Sequence, residues 1–356
     1  MIRGWLSGGV QVWSEHFATE AVKNTIFRKE KNMRITWKLF VPVIWLLMVF
    51  VASVQAAETY PAKDITLVVQ WAGGGSTDLA ARESAVPLQK FLGRAINIKN
   101  VAGGSGAVGT VEVMRAKPDG YTVLFSSPGP IIVLPHVAEV PYDPFKDIVN
   151  VAGLGAAPIV ILAKKDAPYN NLKEMDAYFR QPGKELRYGS AGAGTVNHLW
   201  MVMLSRAMKL PMTHVPFQHS AEGVTNVLGG HVDVTSTEPI TAIAPVKEGR
   251  AKLLTVFGSD RIPYAPDVLN VKEQGYTTAA QDLWHAFYVP KGTPQPIVDR
   301  LTEAIKKASE DPEFQKIAAK TDRSVKFMSA TDFTALTKAQ SAVIADIAKA
   351  EGLGKK

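Results

Sequence analysis

The chain has 356 residues, 46% of them apolar, enough for two domains with packed cores. It contains no cysteine, which excludes disulfides, thiolate metal sites and cysteine nucleophiles. Of the net charge of +7, residues 1–56 contribute seven Lys/Arg against three Glu, and the remainder carries a near-neutral balance with no basic stripe, so nucleic acid is not an expected partner.

Taken in order, the chain first offers a leader. Residues 33–38 are a short basic segment, residues 39–54 an apolar run containing Pro42, and Val54-Gln55-Ala56 places small residues before a cut. Basic, apolar, then small-x-small is the pattern of a secretory signal peptide, cleaved here near Ala56. An uncleaved anchor would need roughly 20 apolar residues. Residues 1–32 are expected to be a non-native upstream extension with the start at Met33, and the mature protein to be periplasmic.

Residues 65–69 (ITLVV) read as a strand, followed by Gly73-Gly74-Gly75-Ser76-Thr77-Asp78 and a helix to about Gly93. A glycine turn feeding a helix leaves backbone N–H groups pointing outward, and the helix dipole adds to their affinity for anions. Asp78 and Thr77 suit cap positions. An ordinary turn whose glycines answer steric needs alone is the plainer alternative.

Residues 95–100 are a second strand, and Gly104, Gly106 and Gly109 then spell G-x-G-x-x-G. A dinucleotide site also needs an acid ending the next strand. That strand, 121–125, ends in Ser126-Ser127-Pro128, so no nucleotide cofactor is expected. Strands follow at 148–154 and 158–163, then a helix at 172–180. The strand at 186–189 leads into Ser190, Gly192, Gly194, Thr195 and His198, with a helix at 199–210. This second glycine-rich junction, like the first, carries hydroxyls and no fixed cation. Two such loops from opposed α/β domains make a cleft for a small polar or anionic ligand. Further strands are expected at 213–217, 232–236, 252–257 and 284–289, and helices from Ser220, from Thr237-Glu238-Pro239, and at 296–307, 312–320 and 332–350. The alternation argues α/β sheets with mostly parallel strands.

No catalytic set emerges. The seven histidines lack metal-ligand spacing, so no metal is expected, and no G-x-S-x-G elbow is present.

The chain resembles the Bug-type extracytoplasmic solute receptors, the substrate-binding subunits of tripartite tricarboxylate transporters. The resemblance spans about 60–350. It is carried by Tyr60-Pro61-x-Lys63-x-Ile65, the loop from Trp71 to Asp78, Pro118-Asp119-Gly120-Tyr121 and Tyr142-Asp143-Pro144. Ser190 to Leu199, His214-Val215-Pro216-Phe217, Leu228 to Asp233 and Gly292-Thr293-Pro294 continue it. It implies a two-lobed, type II periplasmic-binding-protein (Venus flytrap) fold, each lobe a mixed, mostly parallel sheet flanked by helices. Lobe I would comprise 57–158 and 284–356, and lobe II 159–283. It further implies a monomeric binding protein, not an enzyme, without cofactor, that hands a small carboxylate to transporter subunits in the membrane. The ligand-binding residues expected from pattern and resemblance together are Trp71, Gly73, Gly74, Gly75, Ser76, Thr77, Asp78, Ser126 and Ser127 on one side. On the other they are Ser190, Gly192, Gly194, Thr195, His198, Phe217 and Thr237.

Trp71 and Gly73 depart from the family's usual Phe and Pro, and Gln218-His219 from its Lys or Arg and Gly. Ser236-Thr237, with Glu238 beside them, replace an aromatic–Asp pair. A receptor for a signalling partner and an exported α/β enzyme are the alternatives.

Overall fold

In a computed structural model of the chain, residues 60–258, 261–278, 282–350 and 352–353 are described. The signal peptide and upstream extension expected at 1–56 lie outside the described residues. Two mixed sheets flanked by helices make up the fold. The first contains β1 (Ile65–Val69), β2 (Ile96–Asn100), β3 (Thr122–Ser126) and β4 (Ile148–Ala157). The second contains β5 (Ile159–Lys164), β6 (Leu186–Ser190), β7 (Met212–Pro216), β8 (Val234–Thr237) and β9 (Ala251–Phe257). The chain then returns to the first sheet with β10 (Leu283–Pro290) and β11 (Ser324–Ser329). The strand orders are β11-β4-β10-β3-β1-β2 and β7-β6-β8-β5-β9.

Parallel pairing is confined to β1 with β2 and β3, and to β6 with β7 and β8. Every pairing made by β4, β5 or β10 is antiparallel, so both sheets are mixed, with parallel and antiparallel pairings nearly balanced. The reason is connectivity. Parallel neighbours need a crossover, usually a helix, whereas β4 runs on into β5 through Pro158 and passes from one sheet to the other. Proline has no N–H to donate to a ladder, which suits the point where one sheet stops and the next begins.

Burial follows strand position. β10 is buried at every residue and β1 at all but one, and both read as near-continuous apolar runs. The edge strand β2 alternates buried Ile96 with exposed or half-exposed neighbours. The helices are α1 (Ser76–Leu92), α2 (Ala107–Met114), α3 (Leu134–Val137), α4 (Leu172–Phe179) and α5 (Val196–Met208). They continue with α6 (Ser220–Leu228), α7 (Pro239–Lys247), α8 (Gln295–Ser309), α9 (Pro312–Ala319) and α10 (Ala330–Ala350). α1 and α8 cover the first sheet, with Ala81, Leu88 and Leu301 packed on Leu67, Phe125 and Phe287. Each large side chain so buried contributes about 1.5–3 kcal/mol relative to exposure. α1 ends at Gly93, in the left-handed region (φ 72°), whose N–H donates to the Gln89 carbonyl. No helix among the described residues is long and apolar enough to cross a membrane.

Three local differences from expectation have physical causes. α5 starts at Val196, earlier than expected, because Thr195 caps it. β8 starts at Val234, because Asp233 instead accepts the Arg187 N–H at 2.7 Å. β11, absent from the sequence reading, is a half-exposed edge strand on β4.

Candidate functional site

The junction after β1 is built around a buried carboxylate. Asp78 accepts the Gly74 N–H at 2.8 Å and the Arg82 Nε–H at 2.9 Å on one oxygen, and Asn100 Nδ2 at 2.9 Å on the other. Asn100 Nδ2 also donates to the Trp71 carbonyl, at 2.9 Å. Burial opposes the charge, but Arg82, the Gly74 N–H and Asn100 outweigh it and hold the carboxyl below its ordinary range. Asp78 thus fixes the glycine loop. The backbone of Gly75 is the helix N-cap. A Cβ there would lie 2.8 Å from His219 Cβ, so only glycine permits this approach between loops of the two sheets.

The junction after β6 is held by hydroxyls and stacked rings. Thr195 Oγ1 accepts the His198 N–H at 3.3 Å and donates to the Gly192 carbonyl at 2.8 Å. Ser190 Oγ lies 2.7 Å from His214 Nε2. The His198 and His214 rings stack at 4.1 Å, with Tyr188 beyond His214 at 5.0 Å. Desolvation pushes both imidazoles down to about 4, and their mutual proximity adds to the effect at His214.

These junctions meet a third helix start. His219 Nδ1 accepts the Glu222 N–H at 3.3 Å, and Glu222 Oε2 accepts the Gln218 N–H at 2.9 Å, a reciprocal cap for α6. Across the cleft the Ser76 N–H donates to Ser220 Oγ at 3.1 Å, and Ser105 Oγ donates to the Ala193 carbonyl at 2.5 Å. The first residues of α1 (Ser76, Thr77), α5 (Val196, Asn197) and α6 (Ser220) line one small cavity of about 20 Å³, room for little more than a water. Beside it a wider chamber of about 480 Å³ is bounded by Trp71, Ser105, Gly192, Phe217 and Gln218. Among the described residues no Lys or Arg lines either space. Trp71 borders both, its indole N–H donating to Ser127 Oγ at 3.2 Å.

Comparison with known proteins matches residues 80–353 to the family described as tripartite tricarboxylate transporter family receptor, TctC. The chain belongs to this family. It is 33% identical over 271 residues to a UPF0065 protein of Bordetella pertussis, covering 76% of this chain and 83% of that one. Its structure matches that of the periplasmic binding protein BugD with a TM-score of 0.80 and 30% identity, over 83% of this chain and all of the other. It matches MatC of Rhodopseudomonas palustris, solved with bound malate, with a TM-score of 0.75 and 28% identity, over 81% and 99% of the two chains. This is a family of solute receptors, not of enzymes.

Within this TctC-type receptor the expected ligand residues sort into two groups. Trp71, Gly75, Ser76, Thr77, Ser127 and Thr195 line the small cavity, and Gly192 and Phe217 the chamber. The others line neither space. Gly73 and Gly74 are exposed on the loop. Asp78 is tied to that loop, and Ser126 Oγ donates to Gln70 Oε1 at 2.7 Å. Ser190 faces His214, and Thr237 Oγ1 lies 2.5 Å from Thr241 Oγ1. Gly194 and His198 border a separate apolar space with Leu134 and Val137.

The expectation omitted Asn197, His219, Ser220 and Glu238, all on the small cavity. The available signal was positional: each sits at or beside a helix start that follows a strand. G-x-G-x-x-G has a packing role here, because a Cβ at Gly109 would lie 3.0 Å from Gln70 Cα.

Proposed function

We propose that this receptor is exported to the periplasm, captures a small organic carboxylate between its two sheets and delivers it, as a monomer, to a membrane transporter of the tripartite tricarboxylate type. Residues 57–158 and 284–356 would move as one lobe against 159–283, closing on the ligand because the closed state binds it better. The observation that carries this reading is the convergence of the α1, α5 and α6 N-termini on one cavity lined by hydroxyls and an amide. Helix N-termini favour negative charge, and hydrogen bonds to an ionised acceptor are roughly twice as strong as neutral ones. The malate bound by MatC is consistent with such a ligand. The neighbouring chamber, with Trp71 and Phe217, would take the rest of the molecule.

Thermal-shift screening of the purified protein against mono-, di- and tricarboxylates, aromatic acids and NAD tests the reading. At 100 times its dissociation constant a ligand adds about 2.7 kcal/mol. One carboxylate class should stabilise the protein selectively. Gly75→Val, whose side chain would collide with His219, should abolish that shift. A shift with NAD alone would overturn the proposal. For delivery, deletion of the gene should stop uptake of that acid. Intact uptake with a lost transcriptional response would assign a signalling partner instead.

A further inference from the structure

Among the described residues, Glu238 is the one carboxyl group on the small cavity. It lies between β8 and Pro239 of α7 and is 2% exposed. Its Oε1 accepts from Asn197 Nδ2 at 3.2 Å, while its buried Oε2 makes no hydrogen bond of good geometry, the Ser76 and Ser220 hydroxyls standing close enough only to favour the ionised form. Around it stand Ser76 and Thr77 of α1, Asn197 of α5, and His219 and Ser220 at the start of α6. His219 is the only other titratable side chain on this cavity among the described residues, and it caps α6 through Nδ1. Asp78 of α1 is held by Gly74, Arg82 and Asn100. A ligand carboxylate entering here as the cavity widens would meet a second carboxyl group with no Lys or Arg among the described lining residues to separate them. Two carboxylates that share a desolvated site do not both stay ionised. An acid hydrogen on Oε2 answers both problems, since it gives that oxygen a partner and removes one charge.

We propose that Glu238 meets the ligand carboxylate as the neutral acid, Oε2–H donating to a ligand oxygen, so that each binding event takes one proton from solvent into the closed cleft. This rests on the carboxylate-receptor reading above. The proton joins the Glu238 carboxylate of the open, hydrated cleft, and no bond within the ligand changes. Burial pushes the Glu238 carboxyl above its ordinary range, against the opposing pull of Ser76, Asn197 and Ser220, which favours the same form. Because the complex holds more protons than the separate partners, affinity falls as pH rises.

Isothermal titration with malate and succinate between about pH 6 and 8, in two buffers of different ionisation enthalpy, tests this, the association constant falling by up to ~10-fold per pH unit. Wild type should take up close to one proton per ligand. Glu238→Gln, whose amide donates without titrating, should bind with a flat profile and no uptake, and His219→Gln should keep the slope. Infrared difference spectra of the wild type supply a readout independent of any variant: a carboxylic-acid C=O stretch should grow on binding. Binding without proton uptake would overturn the inference and leave the receptor reading intact. So would far tighter binding of aspartate than malate that disappears in Glu238→Gln, which would make Glu238 an ionised acceptor. If no carboxylate binds at all, the receptor reading has failed and this inference falls with it.

Discussion

The junction after β1 and the junction after β6 each turn a strand into a helix whose first residues line the same cavity, yet different chemistry holds each in place. The first depends on an ionised carboxylate: Asp78 is 1% exposed and gathers the loop N–H, a guanidinium and an amide. The second uses neutral groups, with Thr195 closing its turn and Ser190, His214, His198 and Tyr188 forming a stacked, partly desolvated set. A helix N-terminus can therefore be aimed at a common point either by one buried charge or by many weaker contacts. The two should break differently.

The largest expected difference comes from Asp78→Ala. Hydrogen bonds to charged groups contribute about 1.5–3 kcal/mol, and their removal leaves the Gly74 N–H and Asn100 amide without this acceptor. Arg82, with 53% of its side chain exposed, rehydrates and moderates the loss. A destabilisation of ~2–3 kcal/mol by urea unfolding is expected. A cost below ~0.5 kcal/mol, typical of ordinary surface changes, would show that the first loop does not rely on its carboxylate.

Acid titration should separate the junctions next. His198 and His214 fold with pKa values of about 4, below the ordinary 6.5, so the unfolded chain binds more protons between those values. Their contribution is full above pH 6.5 and is lost as pH falls toward 4. Asp78 is shifted in the same direction, by its hydrogen bonds and Arg82, but from the lower ordinary value of 3.8, so its contribution disappears only below that pH. The melting temperature should therefore fall in two stages on acidification. His285, buried in β10 and pushed down to about 3, adds to the upper stage, so substitution must assign it. His198→Phe, which preserves a ring on His214, should flatten the upper stage and leave the lower one unchanged. An unaltered profile would remove the histidine pair from the account.

Much of this was readable in the sequence because it is local. ITLVV followed by three glycines, Ser and Thr specifies a buried strand, a turn and a capped helix within a dozen residues. The two junctions were legible for the same reason. Which helix starts would converge was not, since Asn197, Ser220 and Glu238 look like ordinary first-turn residues until tertiary packing brings them together. Ser126, Ser190 and Thr237 are hydroxyls next to the cleft in sequence, but Ser126 and Ser190 find partners at the ends of neighbouring strands and Thr237 finds Thr241 in α7. Nor does β11 announce itself, because its half-exposed SVKFMS pattern lies between two strongly helical stretches. The helical turns over Gly129–Val133 and α3 were hidden by Pro130 and Pro135, which sit in first-turn positions where their missing N–H costs nothing.

The smallest effect is expected at the second junction's own cap. Thr195→Ala removes the acceptor for the His198 N–H and the donor to the Gly192 carbonyl. Loss of a Thr cap typically costs ~1 kcal/mol. Here the stacked rings and the Ser190–His214 contact remain to hold the strand end and helix, so urea unfolding should show a loss near that figure and well below that of Asp78→Ala. Thr195→Ser, which keeps the hydroxyl, should recover most of it. The comparison sharpens further in ligand binding: Thr195 lines the cavity whereas Asp78 does not, so Thr195→Ala should weaken carboxylate binding out of proportion to its small effect on stability. If instead Thr195→Ala destabilises as much as Asp78→Ala, the second junction also hangs on a single residue and the contrast between one charge and many weak contacts is lost.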